Sequence, residues 1–131
     1  TTKGQNMSDL AEAMKANALE AQRFSRKHMV LELDFSEASV DLLEANADNI
    51  EYAIRGGKSA DNVAMLARIW GAYIGEALKK VGEWEWAEID GQVCLRSKKA
   101  ATSPQDEVRK RINRESGHHL GDYFRRMTKE L

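Results

Sequence analysis

The segment Ala60 to Val81 (ADNVAMLARIWGAYIGEALKKV) constrains the fold of this chain more than any other. Apolar residues run nearly all round it at helical spacing, with Asp61, Arg68 and Glu76 as its charges before the closing Lys79 and Lys80. A helix apolar on most faces must be buried on most faces, which puts it at the centre of the molecule. Down one side lies a row of small residues, Ala60, Ala64, Ala67, Gly71 and Gly75. Two glycines inside a helix cost about 1 kcal/mol each relative to alanine, so the row predicts close approach of another backbone. Ser59 is a natural N-cap for this helix and Gly82 a natural stop.

The flanking sequence supplies the layers that enclose it. Ser8 is placed as the cap of a first helix running to about His28, with Leu10, Met14, Ala18, Ala21 and Phe24 as its apolar stripe. Met29, Leu31, Leu33 and Phe35 alternate, which predicts a short strand over Val30 to Leu33. From Ser36 to Arg55 a helix presents Val40, Leu43, Ala47, Ile50 and Ile54, and Gly56-Gly57 ends it. Asp90-Gly91 between Trp84–Ile89 and Gln92–Arg96 predicts a hairpin, because both turn positions favour positive φ. That register sets Trp86 opposite Leu95, Glu88 opposite Val93 and Glu85 opposite Arg96, with Trp84, Trp86, Val93 and Leu95 on the face suited to cover the helices. After a linker from Ser97 to Ser103, Pro104 opens a helix to about Glu115. A last helix from about His119 to Lys129 carries Leu120, Tyr123, Phe124 and Met127. The expected fold class is α+β: four or five helices around the 60–81 helix, with a small antiparallel sheet that includes the 84–96 hairpin.

At 131 residues the chain makes one domain, here taken as 7–131, long enough to bury roughly two thirds of its unfolded surface. With Met7-Ser-Asp-Leu resembling a natural start, residues 1–6 read as a tag remnant, and no signal peptide is expected. The single Cys94 excludes an internal disulfide and fits a cytoplasmic location. The longest apolar stretch, around Ile69 to Leu78, is too short to cross a membrane.

Leu33-Asp34-Phe35-Ser36-x-x-Ser39, Trp70-Gly71-Ala72-Tyr73-Ile74-Gly75-Glu76, Gly82-Glu83-Trp84 and Pro104-x-x-x-Val108-x-Lys110-Arg111-Ile112, with Tyr123 near the end, are the most distinctive strings. Together they resemble a family of small uncharacterised bacterial domains. In that family an LDYS turn precedes a helix, a GAYLGE helix leads to GGEW and a hairpin, and a P…V.KRL helix precedes a closing aromatic helix. The resemblance spans Leu33 to about Met127. It implies a fold and a bacterial origin and carries no assigned activity. This chain departs from the pattern in its single Gly82 and its long first helix.

Charge is unevenly spread. The net charge is -1, yet Glu32 to Glu51 holds seven acids and no Lys or Arg, while Arg96 to Leu131 holds ten Lys plus Arg against five Asp plus Glu. On a continuous helix Glu37, Asp41, Glu44, Asp48 and Glu51 share a face about 80° wide. Three readings stand open for this stripe: a solvated outer face, pairing with the chain's own basic tail, or docking of a basic protein partner. The tail offers Arg109, Lys110, Arg111 and Arg114, then His118, His119, Arg125 and Arg126, which could contact nucleic-acid phosphates, although Asp106, Glu107, Glu115 and Asp122 dilute them. Arg68, Tyr73, Glu76 and Arg111 are candidates for a buried polar network or a small-molecule pocket, with an exposed strip of Asp61, Arg68 and Glu76 as the simpler alternative.

Catalytic patterns are poorer. His118 and His119 diverge, no metal-ligand spacing is present, and neither a phosphate loop nor a nucleophile elbow occurs, so neither metal nor cofactor is expected. The leading expectation is a non-enzymatic bacterial interaction protein of immunity or antitoxin type, binding a basic partner through the acidic face. The alternatives are a nucleic-acid-associated protein using its C-terminal helices, or a small-molecule-binding protein.

Overall fold

The computed structural model describes residues 7–129, with side chains from Asp9 onward. The segment 1–6 lies outside the described residues; Ser8, expected as the N-cap of the first helix, lies inside it, since the helix is already running at Met7. The fold is α+β: α1 (Met7–Met29), α2 (Glu37–Asn46), the short α3 (Ile50–Ala53), α4 (Ala60–Val81), a hairpin of β1 (Glu85–Ile89) and β2 (Gln92–Arg96), β3 (Ala101–Thr102), α5 (Pro104–Ile112) and α6 (Leu120–Thr128).

α4 forms where its pattern requires, capped by Ser59, whose side chain accepts from the Asn62 N–H. Every residue from Ile69 to Gly75 is buried, so the helix is enclosed on all sides there. α1 and α5 supply most of the enclosure. Trp70 is fully buried and donates its indole N–H to the buried Ser25 of α1 at 3.2 Å. The small-residue row works over its second half only, since Ala60 and Ala64 are exposed. A Cβ on Gly71 would collide with the backbone of Gln105 in α5, the close backbone approach that the glycine predicts. Gly75 instead makes room for the Trp86 ring, so its partner is a side chain of the hairpin.

The sheet is antiparallel in the order β1-β2-β3, with Glu85, Trp86 and Glu88 opposite Arg96, Leu95 and Val93. Asp90 (φ 52°) and Gly91 (φ 79°) make the turn. Trp84, Trp86 and Leu95 are buried. Ala101–Thr102, within the expected linker, pairs with Leu95 and Arg96 as a third strand. Ser97 folds the chain back, its N–H donating to the Ala100 carbonyl at 2.8 Å. Two residues are too few for a period, which is why this strand has no sequence signal.

Three expectations need correction. Val30 to Leu33 forms no strand. Leu31 and Leu33 alternate inward because the chain is laid across the core, tied by the Gln22 amide donating to the Leu33 carbonyl at 2.7 Å. The helix expected over 36–55 breaks after Asn46 into a 3-10 turn, Ala47–Asn49, before α3. Asn46 and Asn49 sit near ψ 0°, and their side-chain amides bond to the Leu42 carbonyl and to Asn46 Oδ1, competing with regular helix geometry. α5 stops at Ile112, short of Glu115, with Asn113 as its C-cap and Arg114 at φ 58°. Among the described residues no helix is long and apolar enough to cross a membrane.

Val30 closes α1 at φ 56°, its N–H bonding the Arg26 carbonyl at 3.2 Å, and its side chain is 85% exposed. A β-branched residue is strained there and gains nothing from burial. Val30→Gly should therefore stabilise the fold by about 1 kcal/mol, read as a higher urea midpoint at unchanged slope. Gly71→Ala, favourable in an isolated helix, should destabilise by about 3 kcal/mol in the same assay because α5 must move away from α4.

Candidate functional site

The acidic stripe of α2 faces the two C-terminal helices. Ser36 starts α2, its hydroxyl accepting the Ser39 N–H at 3.1 Å, and this sets the phase of the carboxylates behind it. Glu44 is the centre of the contact. Its side chain is 12% exposed and its two oxygens accept from Arg111 Nε at 3.0 and 2.8 Å, while Oε1 also accepts the Leu120 N–H at 2.8 Å. One carboxylate thus fixes the guanidinium of α5 and satisfies an N–H at the start of α6. Arg111, 13% exposed, continues to Asp48 at 3.1 Å, and Arg114 reaches Asp48 at 3.2 Å. Arg125 of α6 spans Glu37 at 3.0 Å and Asp41 at 3.2 Å, and also bonds Asp122 at 3.0 Å. Gly121 permits this approach, because a Cβ there would meet the Asp41 carboxylate and the Arg125 guanidinium. Glu51 lies beyond the break in the helix, against Gly57, and forms no ion pair among the described residues.

The basic residues from Arg109 to Arg114 are all engaged. Arg109 bonds Asp106 at 2.7 Å and pairs with Glu115 at 3.6 Å, Lys110 pairs with Asp106 at 3.1 Å, and Arg111 and Arg114 face α2. These contacts hold the carboxyls of Asp48, beside Arg111, and of Asp106, beside Arg109, below the usual range. Asp122 is likewise lowered, first by its bond from Arg125.

Arg68, Tyr73, Glu76 and Arg111 do not converge. Arg68 is exposed and bonds Asn17 at 2.6 Å and Glu20 at 3.2 Å. The Tyr73 hydroxyl accepts the Phe35 N–H at 2.5 Å and shares a 2.6 Å bond with Ser39; burial is the main reason its pKa is raised. Glu76 accepts from the Trp86 indole at 2.7 Å and pairs with Lys79 at 3.6 Å. At 15% exposure it is not part of an open strip with Asp61 and Arg68, because the hairpin covers that turn of α4. The strings that stand out in the sequence therefore meet one another: Tyr73 takes Phe35 and Ser39, Gly75 and Glu76 take Trp86, and Gly71 takes Gln105.

Cys94 is half-buried on β2, and its thiol pKa is raised by burial and then by Asp90, the opposite of an activated nucleophile. Among the described residues no group of three or more His, Cys, Asp and Glu could hold a metal ion. Two features escaped the sequence reading. Tyr52 stands 91% exposed on α3, and His118 Nδ1 lies 3.0 Å from Glu107 Oε1. Exposure of one aromatic and a contact across a loop leave no periodic trace. No protein-family model, curated protein or solved structure matches the chain.

Removing Glu44 leaves a nearly buried guanidinium with only Asp48 to pair it and the Leu120 N–H without its acceptor, so Glu44→Ala should cost about 2 to 3 kcal/mol, against less than about 1 kcal/mol for Glu37→Ala at the exposed end. Urea denaturation of both variants measures the difference. The lowered Asp48 pKa adds stability that is fully present above the ordinary Asp value of about 3.9 and is lost as pH falls through the folded value. Asp48→Asn should accordingly flatten the acid limb of the stability curve.

Proposed function

We propose that this chain is a non-enzymatic interaction protein, of the immunity or antitoxin type, whose partner is a basic protein surface. The observation that carries this reading is Tyr52, 91% exposed on α3 and adjacent to Glu51, the carboxylate of the stripe without an ion pair among the described residues. Tyrosine offers large amphipathic contact area at low side-chain entropy cost, which is why it recurs at the centre of interfaces. Beside it, three guanidiniums, Arg111, Arg114 and Arg125, answer five carboxylates, Glu37, Asp41, Glu44, Asp48 and Glu51, so the face retains an excess of negative charge. Glu37, Asp41 and Asp48 keep about half of their side-chain surface exposed, at 51, 47 and 49%. A basic partner would be steered by that field and anchored at the Glu51–Tyr52 end. Phosphate recognition by Arg109, Lys110, Arg111 and Arg114 draws less support, since each is already paired with a carboxylate of this chain.

The test must spare the carboxylates that hold the fold. Wild type, Tyr52→Ala and Glu51→Lys serve as baits in lysate of the source organism at low and high salt, each checked for an unchanged urea midpoint. A basic protein retained by wild type at low salt and lost from both variants is the expected result. An identical retained set for all three baits, or none for wild type, would make the reading wrong.

A further inference from the structure

Between α5, the loop after it and α6 lies a cleft of about 300 Å³, lined by Glu107, His118, His119, Asp122, Tyr123 and Arg126. The acids of this cleft are answered within it or at its rim. Asp122 bonds Arg125 at 3.0 Å, and Glu107 holds His118 at 3.0 Å. Arg126 is different. Arg109, Arg111, Arg114 and Arg125 all pair with carboxylates, whereas Arg126 has no ion pair among the described residues and lies over the Tyr123 ring, 5.7 Å from its centroid. Tyr123 is itself rigid, only 2% exposed and tied through its hydroxyl to Thr102 at 2.6 Å, so the guanidinium rests on a fixed platform.

His118 supplies the second recognition element. Both members of its pair are largely buried, with the His118 side chain 23% and the Glu107 side chain 17% exposed. A carboxylate can only accept, so the nitrogen facing it carries the proton and, in the neutral ring, Nε2 is left as an acceptor. The cleft thus combines a cation held on a fixed ring, without an ion pair among the described residues, and one oriented acceptor. We infer that it binds a small oxyanion, a carboxylate or phosphate held by Arg126, with a neighbouring hydroxyl or amine that donates to His118 Nε2. The N-terminus of α6 is not the source of this affinity, since Glu44 takes the Leu120 N–H, His119 Nδ1 the Asp122 N–H and the His119 carbonyl the Tyr123 N–H.

The inference is independent of the basic-partner reading and is tested on the isolated chain by amide-resolved NMR titration, above the histidine titration range. The probes are acetate and glycolate as carboxylates, inorganic phosphate and glycerol phosphate as phosphates. The expected result is saturable shifts confined to Gly117 through Arg126, stronger for the hydroxyl-bearing member of one pair; which pair responds names the oxyanion. Arg126→Ala should weaken binding by about tenfold or more, with partial recovery in Arg126→Lys. His118→Asn should bring glycolate or glycerol phosphate down to the level of its hydroxyl-free counterpart. Should Arg126→Ala disturb the spectrum outside the cleft, Arg126→Gln is judged by the same criterion. Absence of saturable shifts with all four probes, saturation unchanged in the Arg126 variants, or shifts spread beyond the cleft would overturn the inference.

Discussion

Enclosure of α4 is the constraint on which the other elements depend. A helix buried continuously from Ile69 to Gly75 needs neighbours on every side, and this small chain supplies them from α1, α5 and α6, with Trp86 of the hairpin against Gly75 and Phe35 and Ser39 against Tyr73. Two positions without side chains set the distances. Gly71 lets the start of α5 lie directly against α4, and Gly75 admits the Trp86 ring. Their combined cost in helix propensity, about 2 kcal/mol, is offset by packing that no larger residue would permit. Once the Trp86 ring occupies the Gly75 notch, its indole N–H meets Glu76, and the hairpin is oriented on the helix by one ring and one hydrogen bond.

The second tier of the fold is electrostatic. The run from Glu32 to Glu51, without Lys or Arg, and the base-rich tail from Arg96 come together as contact between α2 and the α5–α6 pair. Its value lies less in net stability, since desolvation opposes every buried ion pair, than in register. Glu44 can bond Arg111 and the Leu120 N–H together only if α5 and α6 sit at one rotation and one height against α2. Ion pairs further out, such as Arg125 with Glu37, are half-exposed and act more weakly.

These two tiers absorb most of the residues that stand out in the sequence. What they leave over is small: the Glu51–Tyr52 corner, where charge and an exposed aromatic meet, and the Arg126–His118 cleft, where a cation without a carboxylate partner among the described residues lies beside an oriented imidazole. Groups already satisfied within the fold have little left to offer a ligand, so recognition in a chain of this kind falls to the groups that remain.

Local patterns were enough to define α4 with its Ser59 cap and both its ends, and the hairpin register, since helix period, turn chemistry and N-capping act over a few residues. They also exposed the charge asymmetry and the glycine row. They misjudged Val30 to Leu33, where alternation arises from a chain crossing the core without a strand partner, and the break at Asn46, where side-chain amides compete with the helix backbone. Which charges are cancelled and which remain was decided by tertiary structure alone. Glu44 meets Arg111 across 67 residues of sequence, and Glu76 meets Trp86 and not Arg111 or Tyr73. A one-dimensional pattern records which face of a helix is acidic, but the partner of each carboxylate depends on how three helices are rotated about α4, and that is fixed only when the whole core closes.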